Sequence, residues 1–135
     1  MKTFHKVIYV IAVTSVITVN AQNNNSIQIK KAIVEIGQND LVFSVSGLVC
    51  SFCSFGLQKG LSKLDWIYKS KHDKGVFADI NNQYVMVGIK PNLDKNINDA
   101  ISIIKSSGYE VYDYYINSEG EGIERHKIKE APNEK

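Results

Sequence analysis

This sequence predicts an α+β sandwich, with two helices on one face of a four-stranded antiparallel sheet. Three observations lead there. Segments 41–48, 76–80, 84–90 and 109–116 read as strands, three by apolar/polar alternation and the last by its tyrosine content. Segment 51–64 and the stretch from Asp94 to Gly108 carry apolar residues at helical spacing. They follow one another as strand, helix, strand, strand, helix, strand, which is the split βαβ, or ferredoxin-like, arrangement.

The first strand of that unit, LVFSVSGL, puts Leu41, Phe43 and Val45 on one face. The helix after it aligns Leu57, Leu61 and Leu64. Its Gly56 and Gly60 each weaken it by about 1 kcal/mol relative to alanine, which suggests close packing against the sheet. Val76, Ala78 and Ile80 share a face of the next strand, and the turn 81–83 leads to a strand whose Val85, Val87 and Ile89 point inward. Met86 alternates outward there as ordinary packing, and Pro91 stops the strand. Asp94 is a good N-cap for the second helix, whose Ile97, Ala100, Ile101 and Ile104 form the apolar stripe before the stop at Gly108.

The flanks read differently. Lys2, His5 and Lys6 precede a 13-residue, mostly apolar run, and Val19-Asn20-Ala21 offers small residues for cleavage. Residues 1–21 are therefore expected to be a secretory signal peptide, the run being shorter than the roughly 20 apolar residues of a membrane span. The product is exported, periplasmic or secreted, with no membrane span after cleavage. Removing 21 of the 135 residues leaves 114, about one domain. Lys2 and Lys6 leave with the signal, so 14 basic residues face 14 acidic ones. That neutrality argues against a nucleic-acid partner, which needs an excess of Lys and Arg. Residues 22–40 are read as a polar spacer and an extra bulged edge strand, although Ile29, Ala32, Ile33 and Ile36 equally suit a helix ended by Gly37, and 117–135 as a charged, solvated tail.

The chemistry lies in Gly47-Leu48-Val49-Cys50-Ser51-Phe52-Cys53, which holds the only two cysteines. A disulfide between them closes a loop too small to restrain much of the unfolded chain, so a purely structural bridge is a poor explanation. Cys50 falls in the loop leaving a strand, and Cys53 in the first turn of a helix, where backbone N–H groups and the helix dipole favour thiolates. Two such thiolates suit Cu(I) and related thiophilic ions. A structural zinc site normally needs four ligands. His5 leaves with the signal, and His72 and His126 are expected to be solvated.

With these residues in place, segment 41–116 resembles the heavy-metal-associated domain, a small soft-metal carrier module, and in particular its exported single-domain members that bind mercury or copper. The likeness rests on the Cys-x-x-Cys run after a strand, on Leu57, Leu61 and Leu64, on Asp79-Ile80 before the hairpin, and on Gly108-Tyr109 before the last strand. It implies that Cys50 and Cys53 hold the metal, that Leu48 packs beneath the loop in place of a methionine, and that Tyr109 shields the site. Segment 66–74 lengthens one connection by about six residues relative to that pattern. Trp66, Ile67 and Tyr68 should extend a strand or pack beside the helix.

The expected function is therefore a carrier, scavenger or chaperone, not an enzyme, passing its ion on by ligand exchange. Cu(I) is the leading cargo, with Hg(II) and Zn(II) left open. The implied partner is a metal transporter or another thiol-bearing metal-binding protein. The alternative is a thiol–disulfide redox protein using the same two cysteines, although Ser51-Phe52 between them lacks the thioredoxin setting.

Overall fold

A computed structural model describes residues 25–117 and 122–130, so the expected signal peptide lies outside the described residues. The central unit has the predicted order. Strand β3 (Asp40–Ser46) leads to helix α1 (Ser51–Leu61), then to β4 (Val76–Asp79) and β5 (Tyr84–Gly88), helix α2 (Ile97–Ser106) and β6 (Glu110–Asn117). Within the sheet the strands lie in the order β4-β5-β3-β6, every pair antiparallel, which is the ferredoxin-like topology.

Alternation explains the core. Leu41, Phe43 and Val45 from β3 meet Val85 and Val87 from β5, Val111 from β6, and Leu57, Leu61, Ala100 and Ile104 from the helices. Leu57 and Leu61 are fully buried, and each contributes about 1.5–3 kcal/mol by leaving water. Helix α1 ends at Leu61 rather than at Leu64, because Ser62 caps it and the chain continues in single turns. Leu64 still packs against the core. The two glycines of α1 do not serve the sheet as the sequence suggests. A Cβ on Gly56 would meet open space, whereas one on Gly60 would sit 3.1 Å from Ile103 Cγ2 and press on α2. The start of α2 also differs: Asn96, not Asp94, holds the N-cap position, and its side chain makes no capping bond.

Both flanks are more ordered than the sequence indicates. Residues expected to form a single bulged strand make a hairpin, β1 (Ser26–Ile29) and β2 (Ala32–Glu35), turning at Lys30-Lys31 with Lys30 at positive φ. The phase shift read as a bulge is that turn. The hairpin forms a separate two-stranded sheet whose Ile29 and Val34, with Ile36, cover Val42, Tyr84 and Met86 on the side of the main sheet away from the helices. Met86 thus packs as expected, but beneath this lid. In the charged tail, β7 (Ile123–Lys127) adds a fifth strand beside β6. Arg125 forks onto the buried Asp113 with two 3.1 Å bonds and lies over the Tyr115 ring.

The inserted segment 66–74 packs against the C-terminal end of β5, beyond the start of β4. Trp66 and Ile67 are buried, Ile67 pairs with Ile89, and the Tyr68 N–H donates to Gly88 O at 2.8 Å. Lys71 Nζ, at 2.7 Å, and His72 Nε2, at 3.2 Å, reach buried Asp40, so His72 is partnered rather than freely solvated. Gly88 is required at this seam, since a Cβ there would lie 2.7 Å from Lys71 Cβ.

The lid gives a direct test. Ile36→Ala should cost about 2–5 kcal/mol, read as a lower urea midpoint. Ile33→Ala, at a side chain 78% exposed, should stay within about 0.5 kcal/mol.

Candidate functional site

The site forms where β3 stops. Gly47 turns the chain at φ +96°, a conformation that side chains other than glycine resist. The turn also lies against Tyr109, whose ring carbon Cδ1 would be 3.3 Å from a Cβ at Gly47. Leu48 is buried directly after it, in the core position expected for a residue packed beneath the loop. Tyr109 is buried as well and meets the loop at its base.

Cys50 and Cys53 come together here. Cys50 is the N-cap of α1, with extended backbone, and its Sγ accepts the Cys53 N–H at 3.2 Å. The Ser54 N–H donates to Cys50 O at 3.1 Å, and Ser54 Oγ to Ser51 O at 2.8 Å, so the first turn is fully wound around the pair. The two Cα atoms are 5.4 Å apart and the sulfurs are joined as a disulfide. Both residues are half-buried, and Cys53 touches the core.

Electrostatics favour negative charge on these sulfurs once they are reduced. They lie at the positive end of α1, whose first turn carries no acidic residue to neutralise the dipole. The surroundings are apolar: Val49 is 79% exposed, Phe52 86% and Phe55 54%, all within seven residues around the pair. These three side chains border the pair with exposed apolar surface.

The remaining candidates do not converge on the pair. His72 is tied to Asp40 at the opposite end of β3. His126 on β7 stacks on Tyr114 with ring centroids 4.5 Å apart, so it too has a structural contact rather than full solvation. Among the described residues no group of three or more His, Cys, Asp or Glu side chains could close a metal site, and no helix is long and apolar enough to cross a membrane.

Sequence reading missed Gln83. It sits in the β4–β5 turn at φ +57°, and its amide Oε1 accepts the Leu48 N–H at 3.0 Å while Nε2 donates to Leu48 O at 2.6 Å and to Ile80 O. A polar residue in a hairpin turn gives no sign in the sequence of reaching across to a loop 35 residues away. The same turn is capped by Asp79. Burial pushes its carboxyl up, but bonds from the Asn82 side chain and from the backbone N–H groups of Asn82 and Asn81 outweigh this and hold it below the ordinary carboxylate value.

No protein-family model and no curated protein matches the chain. Among solved structures it is similar to the CopZ metallochaperone at 18% identity and TM-score 0.45, over 53% of this chain and 97% of that one. A copper binding domain from HMA7, a P-type ATPase, aligns at 22% identity and TM-score 0.43, over 53% and 88%. The water-soluble region of the P-type ATPase CopA from Bacillus subtilis aligns at 20% and 0.45, over 59% of this chain and 48% of that region. At such identities the likeness does not reach function.

Two outcomes follow from the local chemistry. Gly47→Ala should cost about 1–3 kcal/mol, since it forces a side chain into a strained conformation against Tyr109; thermal unfolding reads this. Asp79 has a depressed folded-state pKa, so its contribution is present above the unfolded value and is lost as pH falls below about 4. Asp79→Ala should therefore flatten the acid limb of the stability–pH profile.

Proposed function

We propose that this chain is an exported carrier of a soft metal ion, Cu(I) first and Hg(II) second, and a member of the heavy-metal-associated family. The observation that carries the reading is the pairing of Cys50 and Cys53 at the acid-free N-terminus of α1, inside an exposed apolar rim. Reduced, the pair presents two thiolates at one point, the donor set that Cu(I) and Hg(II) prefer. Among the described residues no group of three or more His, Cys, Asp or Glu side chains closes the coordination sphere, which suits cargo that must leave.

Transfer would proceed by ligand exchange. A thiolate of the partner adds to the ion, giving a three-coordinate intermediate, and one of Cys50 or Cys53 then dissociates. Val49, Phe52 and Phe55 would be covered by the partner, a metal transporter or another thiol-bearing metal-binding protein. Nothing in this exchange makes or breaks a covalent bond of a substrate, so the protein acts as a carrier rather than an enzyme. Removal of residues 1–21 would place it in the periplasm or outside the cell, with 41–116 as the metal-binding domain.

One observation favours a second reading. Cys50 and Cys53 are disulfide-bonded, and a thiol–disulfide redox protein would cycle through that state. The two readings separate in one experiment. The reduced mature protein, titrated anaerobically with Cu(I) and Hg(II) against chelators of known affinity, should bind one equivalent tightly. Cys50→Ser/Cys53→Ser should lose that binding by orders of magnitude while keeping its fold. No cysteine-dependent metal binding, together with catalysed disulfide exchange, would instead establish the redox reading.

A further inference from the structure

We infer that Gln83 is the positioning residue of the thiol loop: it holds Leu48 so that Cys50 stays in register with Cys53 whether or not the two sulfurs are bonded. This deepens the soft-metal reading of the same site, but its main test does not depend on any metal.

Both donors of the Gln83 amide, and its carbonyl oxygen, are engaged. Its two N–H donors are spent on Leu48 O and Ile80 O, and its carbonyl oxygen accepts the Leu48 N–H. Turning the amide over would set its oxygen against two carbonyls, so only one orientation fits. The backbone of Gln83 is also committed, since its carbonyl accepts the Val45 N–H at 3.0 Å. One residue of the β4–β5 turn therefore grips both the last part of β3 and the residue just past Gly47. Leu48 is held at N–H and C=O alike, as a paired strand residue would be, although β3 has already ended at Ser46.

The consequence reaches Cys50 across two peptide bonds. Cys53 is fixed by α1, through the Cys53 N–H on Cys50 Sγ and the Ser54 N–H on Cys50 O. Cys50 is fixed on its other side only by the path from Leu48 through Val49, and Val49 is exposed. Without the grip on Leu48, residues 47–50 of the reduced protein gain conformational freedom that either a disulfide or a shared ion must take away. Among side chains that carry no ionisable group, only the primary amides offer a donor and an acceptor in one plane. Asn would tolerate the positive φ but is one methylene too short to reach Leu48.

The reading is the thiol–disulfide equilibrium of the mature protein in glutathione buffers. There, oxidised glutathione takes two electrons and two protons from the Cys50 and Cys53 thiols, giving the protein disulfide and two reduced glutathiones. Gln83→Asn and Gln83→Ala should each lower the equilibrium constant for disulfide formation about tenfold, which is about 30 mV for this two-electron couple. Gln83→Glu, which keeps the acceptor and loses both donors, should fall with them. Gln83→Asn preserves the turn and keeps the test open should Gln83→Ala fold poorly. A variant that is less stable to urea but whose equilibrium constant stays within twofold of the parent would show a structural role only and overturn the assignment. In a parallel arm, Cu(I) affinity of the reduced Gln83→Asn protein should drop by a similar factor. If the parent chain binds no Cu(I), the carrier reading fails and the redox result still decides the role of Gln83.

Discussion

The burial of β3 on both faces is the constraint on which the rest of the structure depends. Strand Asp40–Ser46 pairs with β5 through residues 40–44 on one side and with β6 through residues 41–46 on the other, the latter ladder shifting at Ser44/Val45. Leu41, Phe43 and Val45 face the helices, and Val42 faces the hairpin lid. A strand enclosed this way has one permitted register, because a slip of one residue would exchange its two apolar sets and send Ser44 inward. The strand exit at Gly47 is thereby fixed relative to the sheet, and the thiol pair inherits that position.

The exit is where the chain trades stability for chemistry. Up to Ser46 every residue serves the core or the ladder. Beyond it, a left-handed glycine, a buried leucine and an N-cap cysteine place two sulfurs at a surface bordered by exposed aromatic side chains. The bonded and the metal-holding states of such a pair exclude each other, since a disulfide has no thiolate to donate. Each metal-loading cycle that starts from the bonded form must therefore take up two electrons first.

The sequence was legible wherever one physical signal dominated. Alternation located Leu41, Phe43 and Val45, and helical spacing located Leu57, Leu61, Ala100 and Ile104, because burial of these side chains decides the fold. The convergence of Cys50 and Cys53 was legible too, since a three-residue spacing across a helix start leaves few alternatives. Elements governed by pairing partners were not. Residues 123–127 are polar and charged, and become a strand only because β6 offers an edge and Asp113 offers Arg125 a buried partner. The hairpin at 26–35 was read as one strand because a turn at Lys30 requires a positive φ that lysine seldom adopts. Gln83 acts entirely through contacts that sequence spacing does not encode.

The polar ties are distributed unevenly, and the distribution matches the proposed work of the site. At the end of β3 away from the cysteines, Asp40 is gripped by Lys71, His72 and the Gly37 N–H, which fastens the inserted segment and the lid to the sheet. Midway, Arg125 on Asp113 fastens β7. These are charge-assisted bonds to buried carboxylates, the stronger kind, and they sit where nothing needs to move. The ties that reach the thiol loop and the end of β3 themselves are neutral: the Gln83 amide on Leu48, the Tyr112 hydroxyl on Ser46 at 2.8 Å, and a backbone N–H on a sulfur. A charged anchor beside the thiolates would either attract the ion to itself or shift the sulfurs' own ionisation. An amide holds the loop in place without adding a net charge at the N-terminus of α1.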